Sequence, residues 1–361
     1  MMQAPLKASG WWNYKIPPML AVAYFALASA PRGLDSSRVE LYIALYLVAV
    51  VGMAGFGHVF LDAFDVEEDR LLGKTNLWSP LSTASRIAVI VLLLAASWLP
   101  WLVLPAGKAG IALVALEFVF FALYAVPPIR LKERGFPGII ADSMYAHVLP
   151  ALWTWIPFSV IAEAGVPSWF PIVMGIWALF VGMRHLLQHQ VIQLDSDRSA
   201  NARTHAVRRG REATLSLIVT RVLPLEMISF IAMAITMAGH APAVAVGFAA
   251  YLSWQTFKLR FIWLAKFNII GRMNHAERST VVGTLVMSRF YERWLPLLLL
   301  ATLAYRQPAF LPLLLLHLLV FQDAIAEVIR EDLPLAVSFG RARSANSAAG
   351  AHSSLQDTQA A

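Results

Sequence analysis

The sequence predicts an all-α polytopic membrane protein of nine or ten transmembrane helices, and three observations carry that reading. Of 361 residues, 58% are hydrophobic and only 14% are charged, more apolar side chain than one soluble core buries. The apolar residues fall into runs near the roughly 20 residues that cross a bilayer. Positive charge gathers between alternate runs. The lack of cysteine excludes disulfide frameworks, Cys-ligated zinc and thiol catalysis.

In chain order the runs are 17–31, 39–60, 87–106, 110–126, 138–160, 169–190, 213–238, 241–263, 284–305 and 309–329. The first follows Lys7 and Lys15 and ends in Ala28-Ser29-Ala30, a pattern shared with secretory leaders. Pro17, Pro18 and the many later spans favour a retained first helix. The fourth run is stopped by Pro127 and Pro128. The last two are divided only by Arg306, Gln307 and Pro308, so they form either two spans or a re-entrant hairpin. Residues 1–335 read as one transmembrane domain and 336–361 as a disordered Ser-, Ala- and Gln-rich tail.

With the N-terminus cytoplasmic, the outer loops hold only Arg32, Arg38, Lys108 and Arg306, out of 29 Lys and Arg residues. The loops at 61–86, 127–137, 191–212 and 264–283 then share the cytoplasmic face. The net charge of +7 is thus explained by topology and membrane lipid contact, and a nucleic-acid partner loses its support. A bacterial inner membrane is the expected location.

Two acidic segments follow even-numbered spans on that face. Asp62, Asp65 and Asp69 stand at i, i+3, i+7, which on one helix is one face. Stacked carboxylates repel, and a divalent ion such as magnesium, held by one or two carboxylates with water and phosphates, answers that repulsion. The alternative is a solvated helix end paired with Arg70 and Lys74. In the second segment Gln190, Gln193 and Asp197 repeat the spacing, with Asp195 off that face and Arg198 following. His185 and His189, one turn apart, are read as interior hydrogen-bonding groups before a metal pair. Between the segments, Tyr124, Arg130 and Lys132 flank the two prolines, and a guanidinium with an ammonium suits a diphosphate.

In this order and spacing the three segments resemble the UbiA superfamily of intramembrane prenyltransferases. The first is similar to the family's N-D-x-x-D-x-x-x-D motif and is followed by Gly73-Lys74-Thr75-Asn76; Tyr124 to Lys132 resembles its Y-S-x-P-P-x-R-x-K loop. Asp197-Arg198, Arg203-Thr204 and Gly210 resemble its D-R-x-x-G-x-R-T stretch. The resemblance implies nine helices around a central cavity capped by the motif loops. It implies magnesium bridging aspartates to an isoprenyl diphosphate, whose ionisation alkylates an aromatic or other lipophilic acceptor away from water. By position, Asp62, Asp65 and Asp69 would serve the first metal and Asp197, with Gln193 and Asp195, the second; Asp65, Asp69 and Asp197 are the catalytic set. Tyr124, Arg130, Lys132, Arg70, Lys74 and Arg198 would hold the diphosphate, and Asp142, Arg184 and His189 are acceptor-side candidates, Arg184 having as its alternative a structural interhelix pair with Glu226.

Two departures stand out. Leu61 replaces the leading Asn of the first motif, and Gln190 and Gln193 replace carboxylates of the second. Amide oxygens are poorer magnesium ligands than carboxylates, which leaves the second metal site weak or missing. Besides transfer, two other outcomes fit: terpene cyclisation by the same ionisation, and a non-catalytic isoprenoid- or quinone-binding protein of the same fold. Ionisable groups inside the runs, Glu117, Asp142, His147, Arg184, Arg221 and Glu226, are costly there and are functional suspects.

Overall fold

The computed structural model describes residues 11–333 apart from Leu72, Asn201 and 266–283. The expected tail at 336–361 and most of the expected cytoplasmic loop at 264–283 lie outside the described residues. Every regular element among the described residues is helical. This is the solution a bilayer imposes, since a helix satisfies its own backbone hydrogen bonds. The chain divides into two compact units, 1–314 and 315–361.

The first unit opens with α1 (Trp12–Ala28) and α2 (Ser36–Phe64). Asp35 caps α2, its carboxylate accepting the Arg38 N–H at 3.3 Å. After the short α3 (Val66–Leu71) come α4 (Thr83–Trp98) and α5 (Gly107–Ala125). Next are α6 (Phe136–Ser143) and α7 (Leu149–Ala162), joined through a π-helical turn at Met144–Val148. α8 (Phe170–Ile192) leads to three short helices, α9 (Leu194–Ser199), α10 (His205–Arg209) and α11 (Arg211–Leu217). α12 (Leu223–His240), α13 (Pro242–Ala265) and α14 (Leu295–Arg306) complete the bundle.

Six helical stretches are long and apolar enough to cross a bilayer: 36–64, 83–102, 107–125, 136–162, 170–192 and 211–240. They match six of the expected runs to within a few residues. A seventh exists if Pro308–Val320 and Asp323–Arg330, bent by 60°, form one span. The expected count of nine or ten is therefore not reached among the described residues. The physical reasons are local: α1 has 17 residues, and the run at 284–305 is broken into π-helical turns at Thr284–Ser288 and Phe290–Trp294 before α14.

Helices pack through small residues and buried polar pairs, as expected where lipid removes the hydrophobic drive between them. At Gly52 of α2 an added Cβ would stand 2.5 Å from the Ser97 amide nitrogen on α4, so the two backbones meet only because the side chain is absent. Tyr46 and Thr154 share a hydrogen bond of 2.7 Å, and the Trp153 indole donates to Glu117 at 2.7 Å, all four side chains buried. Large apolar residues such as Leu92, Ile172 and Ile235 are exposed on outer faces, which suits contact with lipid.

Candidate active site at the motif loops

The first acidic segment does not form one continuous helix. α2 ends at Phe64, Asp65 is its C-cap at φ −115° and ψ 9°, and α3 starts at Val66. The shared helix face expected for Asp62, Asp65 and Asp69 is thus replaced by a helix–cap–helix corner. Asn76 draws the corner together: its Nδ2 donates to the Asp62 carbonyl and to Asp69 Oδ2, both at 2.8 Å. Its Oδ1 accepts from the Trp78 and Ser79 amides at 3.0 and 2.9 Å. Asp62 is buried and accepts the Leu77 N–H at 2.6 Å. The sequence pattern pointed to the aspartates but not to Asn76 as their organiser; a side-chain amide seven residues past the last aspartate was the available signal.

The loop after α5 docks on this corner. Arg130 adopts a left-handed backbone (φ 38°), and its guanidinium reaches Asp65 at 3.4 Å, Glu68 at 3.5 Å and the Phe64 carbonyl at 3.3 Å. Lys132 pairs with Asp65 and lies 3.2 Å from Glu68. Burial pushes the Asp65 carboxyl above the ordinary carboxylate range, and the Lys132 ammonium opposes that shift. Tyr124, at the end of α5, packs its ring 5.3 Å from Tyr145, whose hydroxyl donates to Asp142 at 2.5 Å.

The second segment breaks in the same way, α8 ending at Ile192 with Gln193 as the cap before α9. Gln190 is buried and accepts the Ala206 N–H at 3.2 Å. Gln193 Oε1 accepts from Lys74 Nζ at 3.4 Å, joining the two segments. Asp197 is buried and accepts from the Thr204 hydroxyl at 3.3 Å. Its carboxyl is raised by burial, against the Thr204 hydrogen bond and the Lys74 charge. Arg208 closes the ring of loops by donating to the Glu133 carbonyl at 2.7 Å.

Several expected site residues fall elsewhere. The Asp195 side chain is 99% exposed and only distantly paired with Arg198, at 3.9 Å. Arg70 pairs with Glu67 at 2.6 Å on the surface. Arg184 does not open into a cavity: it is fully buried in a two-bond pair with Glu226, at 2.6 and 3.0 Å, because a guanidinium inside the membrane needs a partner. His189 is exposed within the bundle end, close enough to Asp197 and Asp142 to interact electrostatically. His185 bonds Ser288 at 3.1 Å and packs on His147, so it is not paired with His189. A cavity bounded by Lys15, His147, Trp177, His185, Tyr291 and Glu292 lies between α1, the α6–α7 turn and α8. In the sequence Lys15 reads only as a charge before the first apolar run; α1 starts at Trp12 and so carries its ammonium into the cavity wall.

The two segments differ in what they can hold. Asp65 Oδ2 and Asp69 Oδ1 make no hydrogen bond among the described residues, so the first segment offers hard carboxylate oxygens that suit one magnesium ion shared with phosphates and water. The second offers Asp197 alone, since both glutamine oxygens are engaged and Asp195 points outward. No group of three or more His, Asp or Glu ligands is assembled among the described residues.

The sequence profile of the UbiA prenyltransferase family matches residues 18–266. The chain belongs to this family. Comparison with curated protein sequences gives no match. Among solved structures, a UbiA homologue from Archaeoglobus fulgidus bound to DMAPP and Mg2+ is similar with a TM-score of 0.53 and 14% identity, over 81% of this chain and 97% of that one. The same homologue bound to Cd2+ gives 0.51 and 15%, over 82% and 97%. At these identities the likeness shows a shared fold. The UbiA-family chain described here is thus an integral membrane protein whose motif loops converge at one end of the bundle.

Proposed function

We propose that this protein transfers an isoprenyl group from an isoprenyl diphosphate to a lipophilic acceptor inside the membrane. The observation that carries the proposal is the convergence of three loops far apart in sequence: Arg130 and Lys132 meet Asp65 and Glu68, and Lys74 meets Gln193. Two cations already aimed at one carboxylate form a ready exchange site. A divalent ion bound at Asp65 and Asp69 would supply positive charge to the leaving diphosphate. Arg130, Lys132 and Lys74 would then turn from carboxylates and amide to phosphate oxygens, where their charge counts most as the carbon–oxygen bond breaks. The apolar bundle below the loops keeps water from the resulting allylic cation.

The cavity lined by Lys15 is the acceptor site in this reading, and Tyr145 links Asp142, by a hydrogen bond, to the ring of Tyr124. Family membership and the DMAPP- and Mg2+-bound relative support the donor chemistry. The cytoplasmic placement of the loops rests on the Lys and Arg asymmetry. A second reading, an isoprenoid-binding protein without catalysis, is favoured by one observation, the loss of carboxylates at Gln190 and Gln193. Detergent-purified protein given magnesium and C10 to C20 isoprenyl diphosphates distinguishes them. Diphosphate release that needs Asp65 supports transfer or cyclisation, which products formed with and without lipid extract then separate. Binding of isoprenoid that neither magnesium nor Asp65→Asn alters supports the second reading.

A further inference from the structure

The second segment offers a metal ion few ligands, and a lysine side chain from the first segment reaches it. Gln190 spends its amide oxygen on the Ala206 backbone, Gln193 Oε1 accepts from Lys74 Nζ at 3.4 Å, and Asp195 faces outward. One carboxylate, Asp197, remains. Lys74 reaches this point from the other segment because its own N–H donates to the Asp69 carbonyl at 2.9 Å, closing the turn after α3. Its ammonium makes no ion pair among the described residues, so its charge is not committed to a carboxylate, yet it stands near enough to act on both Asp197 and His189.

We propose that the Lys74 ammonium replaces a second metal ion, so that the site works with one divalent cation at Asp65 and Asp69 and a fixed protein cation at Asp197 and Gln193. The charge count favours this arrangement. Before diphosphate binds, a dication added beside Lys74 would put three positive charges against Asp197 and the more distant Glu68, whereas the ammonium alone leaves no excess positive charge there. An ammonium also serves phosphate as a compact point charge with three donors, without the octahedral oxygen shell that magnesium demands. The two glutamines are then coherent with the rest of the site: where the cation is covalently fixed, neutral oxygens suffice to orient it, and carboxylates would bind it too tightly for exchange onto a diphosphate.

The inference rests on the donor chemistry proposed above, and its test separates the two. Full-length protein in detergent is titrated with Mn2+ in the presence of geranyl S-thiolodiphosphate, and bound Mn2+ is counted by electron paramagnetic resonance. One Mn2+ per chain without manganese–manganese coupling is expected. Lys74→Ala should keep that stoichiometry while weakening the thiolodiphosphate on the order of ten- to a hundred-fold, the usual weight of a charge-assisted contact, and Lys74→Arg should recover most of it. Two coupled Mn2+ ions in the wild-type chain, or unchanged thiolodiphosphate affinity in Lys74→Ala, overturn the inference and leave prenyl transfer standing. Absence of both Mn2+ and thiolodiphosphate binding overturns the prenyl-transfer reading, and this inference with it.

Discussion

Replacing Arg184 by Met should be among the most destabilising single changes in the chain, and the structure sets the scale. Both Arg184 and Glu226 are 0% exposed, joined by hydrogen bonds of 2.6 and 3.0 Å. Removing one partner of such a pair leaves a buried charge uncompensated, at a cost of about 3–5 kcal/mol. Replacing both with apolar residues of similar volume removes the desolvation penalty together with the attraction, and the double variant Arg184→Met/Glu226→Leu should fall within about 2 kcal/mol of wild type. Unfolding in mixed dodecyl maltoside and SDS micelles, followed by tryptophan fluorescence, measures all four corners of the cycle. The double variant should also retain its acceptor KM, because the pair braces α8 against α12 and does not line the cavity. If the two single losses simply add, or if Arg184→Met costs less than about 1 kcal/mol, the assignment of Arg184 to the scaffold is wrong.

Three further outcomes follow from the motif loops and the cavity. The Asp65 and Asp197 carboxyls are both raised, chiefly by burial. Because Asp65 is the one of the two that holds the divalent ion in this account, Mn2+ affinity should fall as Asp65 protonates, with falling pH through a range above the ordinary carboxylate midpoint of about 4; Lys132→Met, which removes the charge opposing the Asp65 shift, should move that midpoint upward, and a downward move would refute the assignment. In the metal-free protein the sign reverses, because keeping these groups charged costs stability at neutral pH and protonation relieves it as pH falls. Asn76→Ala removes four hydrogen bonds that gather the corner and should weaken Mn2+ binding about tenfold or more while far-UV circular dichroism stays unchanged. Lys15→Met should raise the acceptor KM yet leave donor-only diphosphate release near wild type; loss of release would move Lys15 to the donor site.

The sequence was most legible where the bilayer dictates the pattern. Six spans between Ser36 and His240 lie within a few residues of the apolar runs, because hydropathy and span length are set by the same slab of hydrocarbon. It was least legible where packing decides. The π-helical turns before α14 and the bend after Val320 leave no mark in apolar periodicity. At the site, spacing found Asp62, Asp65, Asp69 and Asp197, but the helical face it implied is broken at Asp65 and Gln193. The grouping is instead made by long-range partners, Asn76, Lys132 and Lys74, whose roles depend on loops that fold back. Arg184 shows an intermediate case: its place in a span allowed either a cavity-facing role or an interhelix pair with Glu226, and the packed bundle decides for the pair.

The central claim is that the converging loops ionise an isoprenyl diphosphate. Its most direct test is magnesium-dependent diphosphate release by purified protein from geranyl and geranylgeranyl donors, with Asp65→Asn as the control. The account predicts release that requires both magnesium and Asp65. Folded protein that releases none from any donor, or releases it equally with Asn at position 65, would contradict the account.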